Sequence, residues 1–456
     1  MAVPVLMMTE QLDNAGRTLV VGLGKTGLSV ARYLARHGVP VAIVDSREDP
    51  PGLAALRAEL PVDVALFLGG FREEAFERAE QVVVSPGVPL GEPRIAAAVA
   101  RGIPVIGDIE LFAQAAKAPV IAITGSNGKS TVTALLSAMA QRAGKSVRTG
   151  GNIGVPALDL LMDTEPDLYI LELSSFQLET THSLRPLASV VLNISADHLD
   201  RYPDLEAYAA AKQVVYRDAA LQVVNADDPE AARLADPERP QVHYAQRPPR
   251  GEDEYGLRAY QGMQWLARGN ENIIPTPEIC MAGRHNVMNA LAALALGDVA
   301  GIPRGAMIET LHEFQGLPHR VQLVAERRGV RWYNDSKGTN TGATLAAIDG
   351  VEGKVVLIAG GDAKGADLSP LGLALQHKGR GAVLIGKDAP RLRAVLQPLV
   401  PVEQAADMSQ AVALAAAMAQ AGDCVLLSPA CASTDMYRDF QERGNLFMRA
   451  VRELPA

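Results

Sequence analysis

The chain has little of what several common protein classes require. Three cysteines among 456 residues, at 280, 424 and 431, supply neither a disulfide framework nor the paired spacings of a zinc site. Aromatic residues make up 4% of the chain, so no stacking platform for single-stranded nucleic acid stands out. Positive charge is in the minority. With 43 Lys and Arg against 52 Asp and Glu, the net charge of −9 argues against non-specific nucleic-acid binding. No apolar run approaches the length of a membrane span. Met1 to Asn14 holds acidic and amide residues and no basic n-region, so no secretory signal is expected. A cytoplasmic protein is expected, with neither membrane nor nucleic acid as a partner.

What is present is an ordinary globular composition, 48% hydrophobic and 21% charged, in a chain long enough for two to four domains. A strand followed by a glycine loop recurs near residues 20, 122 and 358, which predicts three α/β domains in a row. The most informative stretch is Val120-Ile-Ala-Ile-Thr124-Gly-Ser-Asn-Gly-Lys129-Ser-Thr131, ahead of an amphipathic run from Val132 to Ala143. Strand, small-residue loop and helix start is the layout that offers backbone N–H groups to phosphate. Gly125, Asn127 and Gly128 would form the cradle, Lys129 would reach the β- and γ-phosphates, and Ser130 would sit on Mg²⁺ beside Thr131. The loop is shorter than the standard pattern, whose first glycine would fall where Ile123 stands. A plain Gly/Ser turn with a surface lysine is the weaker reading.

Before this loop, Gly22-Leu-Gly24-Lys-Thr26-Gly27 follows a strand, and Asp45 lies 18 positions beyond the last glycine. That is close to the dinucleotide spacing and, alone, would favour an NAD-dependent dehydrogenase. A second phosphate loop is something a simple dehydrogenase does not need. Arg47 and Ser85-Pro86-Gly87 complete a nucleotide or nucleotide-sugar site whose nucleotide the glycines do not specify.

After the phosphate loop, Gly150-Gly-Asn152-Ile-Gly154 reads as a turn. Strand Leu168–Glu172 ends in an acidic residue, the usual second metal holder of such proteins, followed by Ser174 and Gln177. His198 follows strand Ser189–Asn193 and leaves the same sheet edge as Lys129 and Glu172. Lys212, on an Ala-rich helix, reads from chemistry alone as a solvated lysine. Asn286 would pass as a helix N-cap, and Asn289 could offer an amide to an adenine edge. Further on, polar clusters Asn334–Asn340, Gly360–Gly365 and Ser428–Thr434, two of them at strand ends, predict a ligand crevice, with Phe440 and Arg443 on the next helix.

Together, Thr124–Thr131, Glu172–Gln177, His198, Lys212, His285-Asn286…Asn289, His319-Arg320, Asn334–Thr339 and Ser428–Ser433 resemble the Mur ligases over essentially the whole chain. Within that family the likeness is nearest the members that add D-glutamate. The resemblance implies an α/β protein of three consecutive domains: a Rossmann-like UDP-sugar-binding domain at 1–108, a P-loop ATPase-like parallel-sheet domain at 109–316, and a Rossmann-like amino-acid-binding domain at 317–456. It implies ATP and two Mg²⁺ ions, and a carboxylate activated as an acyl phosphate and joined to an amine in cytoplasmic peptidoglycan precursor synthesis. Gly24, Thr26, Gly27, Asp45, Arg47, Gly87 and Asn152 would meet UDP-N-acetylmuramoyl-L-alanine, with Ser174, Gln177 and His198 also on substrate. Asn286, Asn289, Arg320, Asp335 and Lys337 would contact ATP. Ser130 and Glu172 would hold one metal ion, with His198 and Lys212 (as a carbamate) serving the second. Thr339, Lys364, Ser433, Thr434 and Phe440 would hold D-glutamate. The Asn-Pro-Arg motif of the diamino-acid-adding members is absent. A monomer is expected. No side chain stands out as the base that deprotonates the amine. A nicotinamide oxidoreductase and a nucleotide switch are the rival classes, and both leave the three late polar loops without a purpose.

Overall fold

The computed structural model describes residues 18–60, 64–281 and 283–454; the Met1–Asn14 stretch lies outside them. Three sheets succeed one another. In the first, β1 Thr18–Val21, β2 Val41–Asp45, β3 Ala65–Leu68, β4 Gln81–Val84 and β5 Val105–Ile106 run in the order β3-β2-β1-β4-β5, all parallel. Continuous apolar strands such as Val41–Val44 are what a sheet covered on both faces demands.

The second sheet contains β6 Val120–Thr124, β7 Val147–Gly151, β8 Leu168–Glu172, β9 Ala188–Val191, β10 Gln222–Asn225, β11 Gln241–Tyr244, β12 Tyr255–Tyr260, β13 Met263–Arg268 and β14 Glu271–Pro275. Its order is β14-β13-β12-β11-β10-β9-β6-β8-β7. The pairs from β7 to β12 are parallel, while β12, β13 and β14 form an antiparallel meander at the edge, an extension of the expected parallel sheet. Strand β6 lies between β8 and β9, so connections leave it to either side and a crevice opens beyond Thr124. The expected turn at Gly150-Gly151 is instead the end of edge strand β7. A Cβ on Gly150 would meet the Val155 carbonyl oxygen at 2.2 Å, so the glycine serves a close chain approach rather than a bend.

The third sheet holds β15 Gln322–Arg327, β16 Val330–Asn334, β17 Val355–Gly360, β18 Gly379–Ile385, β19 Val402–Gln404 and β20 Cys424–Leu427, in the order β15-β16-β20-β17-β18-β19. Only β15 is antiparallel to its neighbour. Adjacent β16, β20 and β17 end in the three polar clusters, so all three, not two, are strand-end loops. The connection into this sheet has left-handed backbone at Gly316, His319 and Val321 (φ 86°, 63° and 44°), costly for a β-branched valine. Among the described residues no helix is long and apolar enough to cross a membrane.

Candidate functional site

The phosphate loop is built as its sequence suggests, with one shift: the helix begins at Lys129, three residues before the apolar run. Gly128 caps it with φ 85°, and a Cβ there would lie 2.6 Å from Asn289 Oδ1. Both facts require glycine. Lys129 folds back over its own loop and donates to the carbonyls of Gly125 (2.7 Å) and Ser126 (2.9 Å). Burial lowers its pKa, with Glu172 opposing that shift.

Glu172 is buried at the end of β8, not exposed. Its Oε1 accepts from Asn152 Nδ2 at 2.8 Å, while Oε2 is buried without a partner. Lys212 departs most from its sequence reading. It is not solvated but 1% exposed, with its ammonium 4.6 Å from the Tyr208 ring centroid and 3.4 Å from Thr124 Oγ1. Burial, then the nearby Lys129 charge, pushes its pKa well down. His198 adopts φ 56°, packs edge-on to Phe176 at 4.9 Å, and has Nε2 3.9 Å from Asp197 Oδ2.

These groups face residues from the third sheet. A cleft of about 240 Å³ is lined by Lys129, Ser130, Asn152, Glu172 and His198 on one side, and Arg320, Lys337, Thr339 and Lys364 on the other. Arg320 Nη2 donates to Ser130 Oγ at 2.9 Å. Lys337 sits 4.1 Å from the Phe440 ring centroid, and burial followed by the Arg320 charge lowers its pKa to about 8. An adjoining cavity of about 310 Å³ is lined by Thr131, Asn286, Asn289, Tyr244, Asp335 and Lys337 among others. Asn286 does not cap its helix, since Gly283 occupies that place; Asn286 Oδ1 accepts from Asn289 Nδ2 at 3.0 Å. Asp335 is pushed up to about 7 by burial, against hydrogen bonds from Ser428 Oγ (2.7 Å) and the Val321 N–H (3.2 Å).

A third cavity, about 500 Å³, gathers Gly24, Thr26, Asp45, Arg47 and Gly87 with Asn152 and Gln177. Gly27 lies beneath it, where a Cβ would stand 1.9 Å from the Gly22 oxygen. Asp45 is already engaged. Burial would raise its pKa, but Arg47 (2.7 and 2.9 Å) and the Leu23 N–H (2.7 Å) outweigh that and hold it at about 2. A ribose hydroxyl would therefore compete for its acceptor, which weakens the dehydrogenase reading. Asn152 borders both this cavity and the 240 Å³ cleft. Ser174 and Gln177 form a capping box, and Gln177 Nε2 also reaches Asp108 Oδ2 at 3.0 Å.

Ser433, Thr434 and Phe440 border none of the three cavities described, although neighbouring Ala432 lines the cleft. Their loop is fixed by Arg443, fully buried, which donates to Ser336 O (2.8 Å), Ser336 Oγ (3.0 Å), Cys431 O (3.1 Å) and Gly360 O (3.4 Å). One guanidinium thus joins all three strand-end loops. Asn193, Asp197 and Asn340 belong to the site too; the sequence marks Asn340 only as a member of its polar cluster and singles out neither of the others. Their only sequence signal was polarity just beyond a strand.

Comparison with known proteins follows the same division of the chain. Residues 16–107 match the N-terminal domain of MurD-like Mur ligases, 123–297 the Mur ligase middle domain, and 319–431 the Mur ligase glutamate ligase domain. The UDP-N-acetylmuramoylalanine–D-glutamate ligase of Nitrosococcus oceani is 58% identical, covering 98% of this chain and 99% of its own. The protein of the same name from Pseudomonas putida is 50% identical over 95% and 96%. Among solved structures, Thermotoga maritima UDP-N-acetylmuramate-alanine ligase MurC shares the fold with a TM-score of 0.58 at 20% identity, covering 95% of this chain and 99% of that one. MurF ligase from the same organism, in complex with ADP, gives 0.59 at 17% identity over 84% and 91%. With all three domains matched in order and relatives of this identity over nearly its whole length, the chain belongs to the Mur ligase family.

Proposed function

We propose that this chain is the ATP-dependent ligase that joins D-glutamate to UDP-N-acetylmuramoyl-L-alanine in cytoplasmic peptidoglycan precursor synthesis, acting as a monomer without nucleic-acid or membrane partners. Domain borders near residues 108 and 316 belong to the same reading. The observation that carries it is convergence: a phosphate loop, a buried acid with a free oxygen and several third-sheet cations face one cleft. The sugar nucleotide would lie in the 500 Å³ cavity and thread its alanyl carboxylate past Asn152. ATP would take the 310 Å³ cavity, its base near Asn286 and Asn289 and its phosphates over Gly125–Thr131.

The alanyl carboxylate oxygen attacks the γ-phosphorus, ADP leaves, and an acyl phosphate forms. The D-glutamate nitrogen, freed of its ammonium proton to solvent, then attacks the carbonyl carbon, and the tetrahedral adduct expels phosphate, which carries off a second N–H proton as hydrogen phosphate and leaves the amide. Two like charges a few ångströms apart cost roughly 4 kcal/mol at an effective dielectric of 20. Lys129 and Arg320 offset that repulsion where the phosphoryl group moves. Thr339, Lys364, Ser433, Thr434 and Phe440 would hold and orient D-glutamate, with Lys337 on ATP.

Hard oxygen donors suit Mg²⁺, and the unpartnered Glu172 Oε2 in the cleft that Ser130 also lines fits such an ion. Among the described residues no cluster of three or more His, Cys, Asp or Glu forms a metal cage. An ion that keeps much of its shell on phosphate and water needs none. Ser130 and Glu172 would hold one ion, with His198 and a carbamylated Lys212 on a second; bound, they would mask the charge of the phosphoryl and carboxylate oxygens. The depressed pKa of Lys212 supports the carbamate, since a neutral amine can add to carbon dioxide with loss of one proton.

Phosphate release from ATP and UDP-N-acetylmuramoyl-L-alanine, measured across D- and L-amino acids, tests the proposal. D-glutamate alone should accelerate it strongly. No acceleration by D-glutamate overturns the reading.

A further inference from the structure

An amide bridge spans the joint between the second and third sheets and has no part in the mechanism so far. Asn340 closes the loop after β16 and begins helix Thr341–Gly350. Its Oδ1 accepts the Ala343 N–H at 2.8 Å and so caps the helix. Its Nδ2 crosses the joint, donating to Asn127 Oδ1 and Asp197 Oδ2, each at 3.2 Å. Both ends of one side chain are used, and among the N-cap residues only asparagine supplies the cap acceptor and two reaching donors together.

The groups it reaches are themselves held. Asn193 grips the Asn127 peptide from both sides, accepting its N–H on Oδ1 (2.8 Å) and donating to its carbonyl from Nδ2 (3.0 Å). Asp197 accepts the His198 N–H on Oδ1 at 3.0 Å, while its Oδ2, the atom that meets Asn340, lies 3.9 Å from His198 Nε2. The approach across the joint is close: a Cβ on Gly342 would lie 2.8 Å from Ser195 Oγ. Asn340 is 8% exposed, so water competes little for these bonds. Its chain neighbour Thr339 lines the cleft.

We propose that Asn340 is a positioning residue that ties docking of the third domain to the placement of the phosphate loop and of His198. Resting on the ligase reading, it makes the phosphoryl-transfer geometry complete only when the domain that brings the amino acid is seated.

Two measurements separate this from the ligase reading itself. Amide hydrogen exchange on the full chain without substrates reads the bridge alone. Asn127→Ala should raise exchange severalfold in the first turns of helix Thr341–Gly350, which it does not otherwise touch. Unchanged exchange there overturns the proposal. In the phosphate-release assay, Asn340→Ser keeps a cap but cannot reach across, and should lower kcat ~10- to 100-fold with its melting midpoint unmoved. Asn340→Asp keeps the cap and turns a second carboxylate toward Asp197, so it should be slower still. The Asn127→Ala/Asn340→Ser double variant should be no slower than the slower single variant, because both remove one bridge. Losses that multiply, or a fully active Asn340→Asp, overturn the proposal. If the wild-type chain shows no response to D-glutamate, the ligase reading fails and the exchange result alone decides the bridge.

Discussion

The second sheet meets the first and the third in opposite ways. Toward the first, one apolar cluster runs without a break from Val20, Leu23 and Leu28 through Ile109 and Phe112 to Ala157, Tyr169 and Leu171. Asp159 then stitches the joint, accepting from Ser29 Oγ on Oδ1 at 2.7 Å, with Arg32 Nη1 3.7 Å from its Oδ2. Toward the third there is no shared core: among the described residues the apolar clusters of residues 321–454 hold nothing from the second sheet. That joint rests on polar contacts, Asn340 to Asn127 at ~0.5–1.5 kcal/mol net, and Arg320 to Ser130 and Asn340 to Asp197, each involving a charge, at ~1.5–3 kcal/mol. A fused joint and a latched joint serve different ends. The fused one fixes the first two sheets against each other, while the latched one is the joint that the proposed ligase would open to admit nucleotide and amino acid.

The largest effect should come from damaging the fused joint. Phe112 is fully buried and meets Tyr169 edge-on at 5.0 Å, so Phe112→Ala should cost about 3–5 kcal/mol in denaturant unfolding. A wild-type transition in which the first sheet melts separately would break the comparison. Next, Arg320→Ala removes a cation that reaches across the latched joint, and kcat should fall about 10²–10³-fold with little loss of melting temperature. A large stability loss would mean that this joint, too, is structural. Lys212→Ala acts inside the second sheet, and its lost activity should be partly restored by small carboxylates, as a missing carbamate requires. Full activity in that variant would remove the carbamate.

The contrast between the joints was invisible in the sequence, although most of the elements were not. Continuous apolar strands, glycine loops and the residues that follow them mark local structure, and β6, β8 and the phosphate loop lie where their patterns put them. Lys212 shows the limit. An Ala-rich helix with one lysine reads as a solvated face, because only the fold reveals that the face turns inward against Tyr208 and Thr124. The capping error at Asn286 is similar: Gly283, with φ 97°, takes the place a polar side chain would have claimed. The meander β12–β14 escaped because short alternating strands carry little weight beside buried parallel ones. Asn340 was legible as a polar loop residue, but its partner Asn127 lies 213 positions away and no local pattern joins them.

A smaller effect ties the connection between second and third sheets to pH. Asp335 anchors that connection through the Val321 N–H, and burial raises its pKa from 3.8 to about 7. A folded-state pKa above the unfolded one means stability fully present below pH 3.8 and lost as pH rises through about 7. Denaturant midpoints taken from pH 4 to pH 8 should show this decline in the wild type and a flatter profile in Asp335→Asn. Identical profiles would remove Asp335 from the connection's energetics.

The finest prediction concerns the opening itself. Gly316, His319 and Val321 hold left-handed backbone within six residues, ahead of a joint with no apolar core. Backbone of this kind costs of order 1–3 kcal/mol at each non-glycine position and persists only where the surroundings impose it. Part of those surroundings is the latch, since Arg320 between His319 and Val321 reaches Ser130, so breaking it should let the connection relax and the third domain swing away. Small-angle scattering of the free chain, in which latched and opened arrangements interconvert, should then give a mean radius of gyration above that of the latched arrangement described, contracting when ATP and UDP-N-acetylmuramoyl-L-alanine are added. Asn340→Ser should weaken that contraction, whereas Phe112→Ala, which acts on the other joint, should leave it in place as long as the chain stays folded. Equal dimensions with and without substrates would mean that both joints are rigid, and the difference between them would be one of chemistry alone.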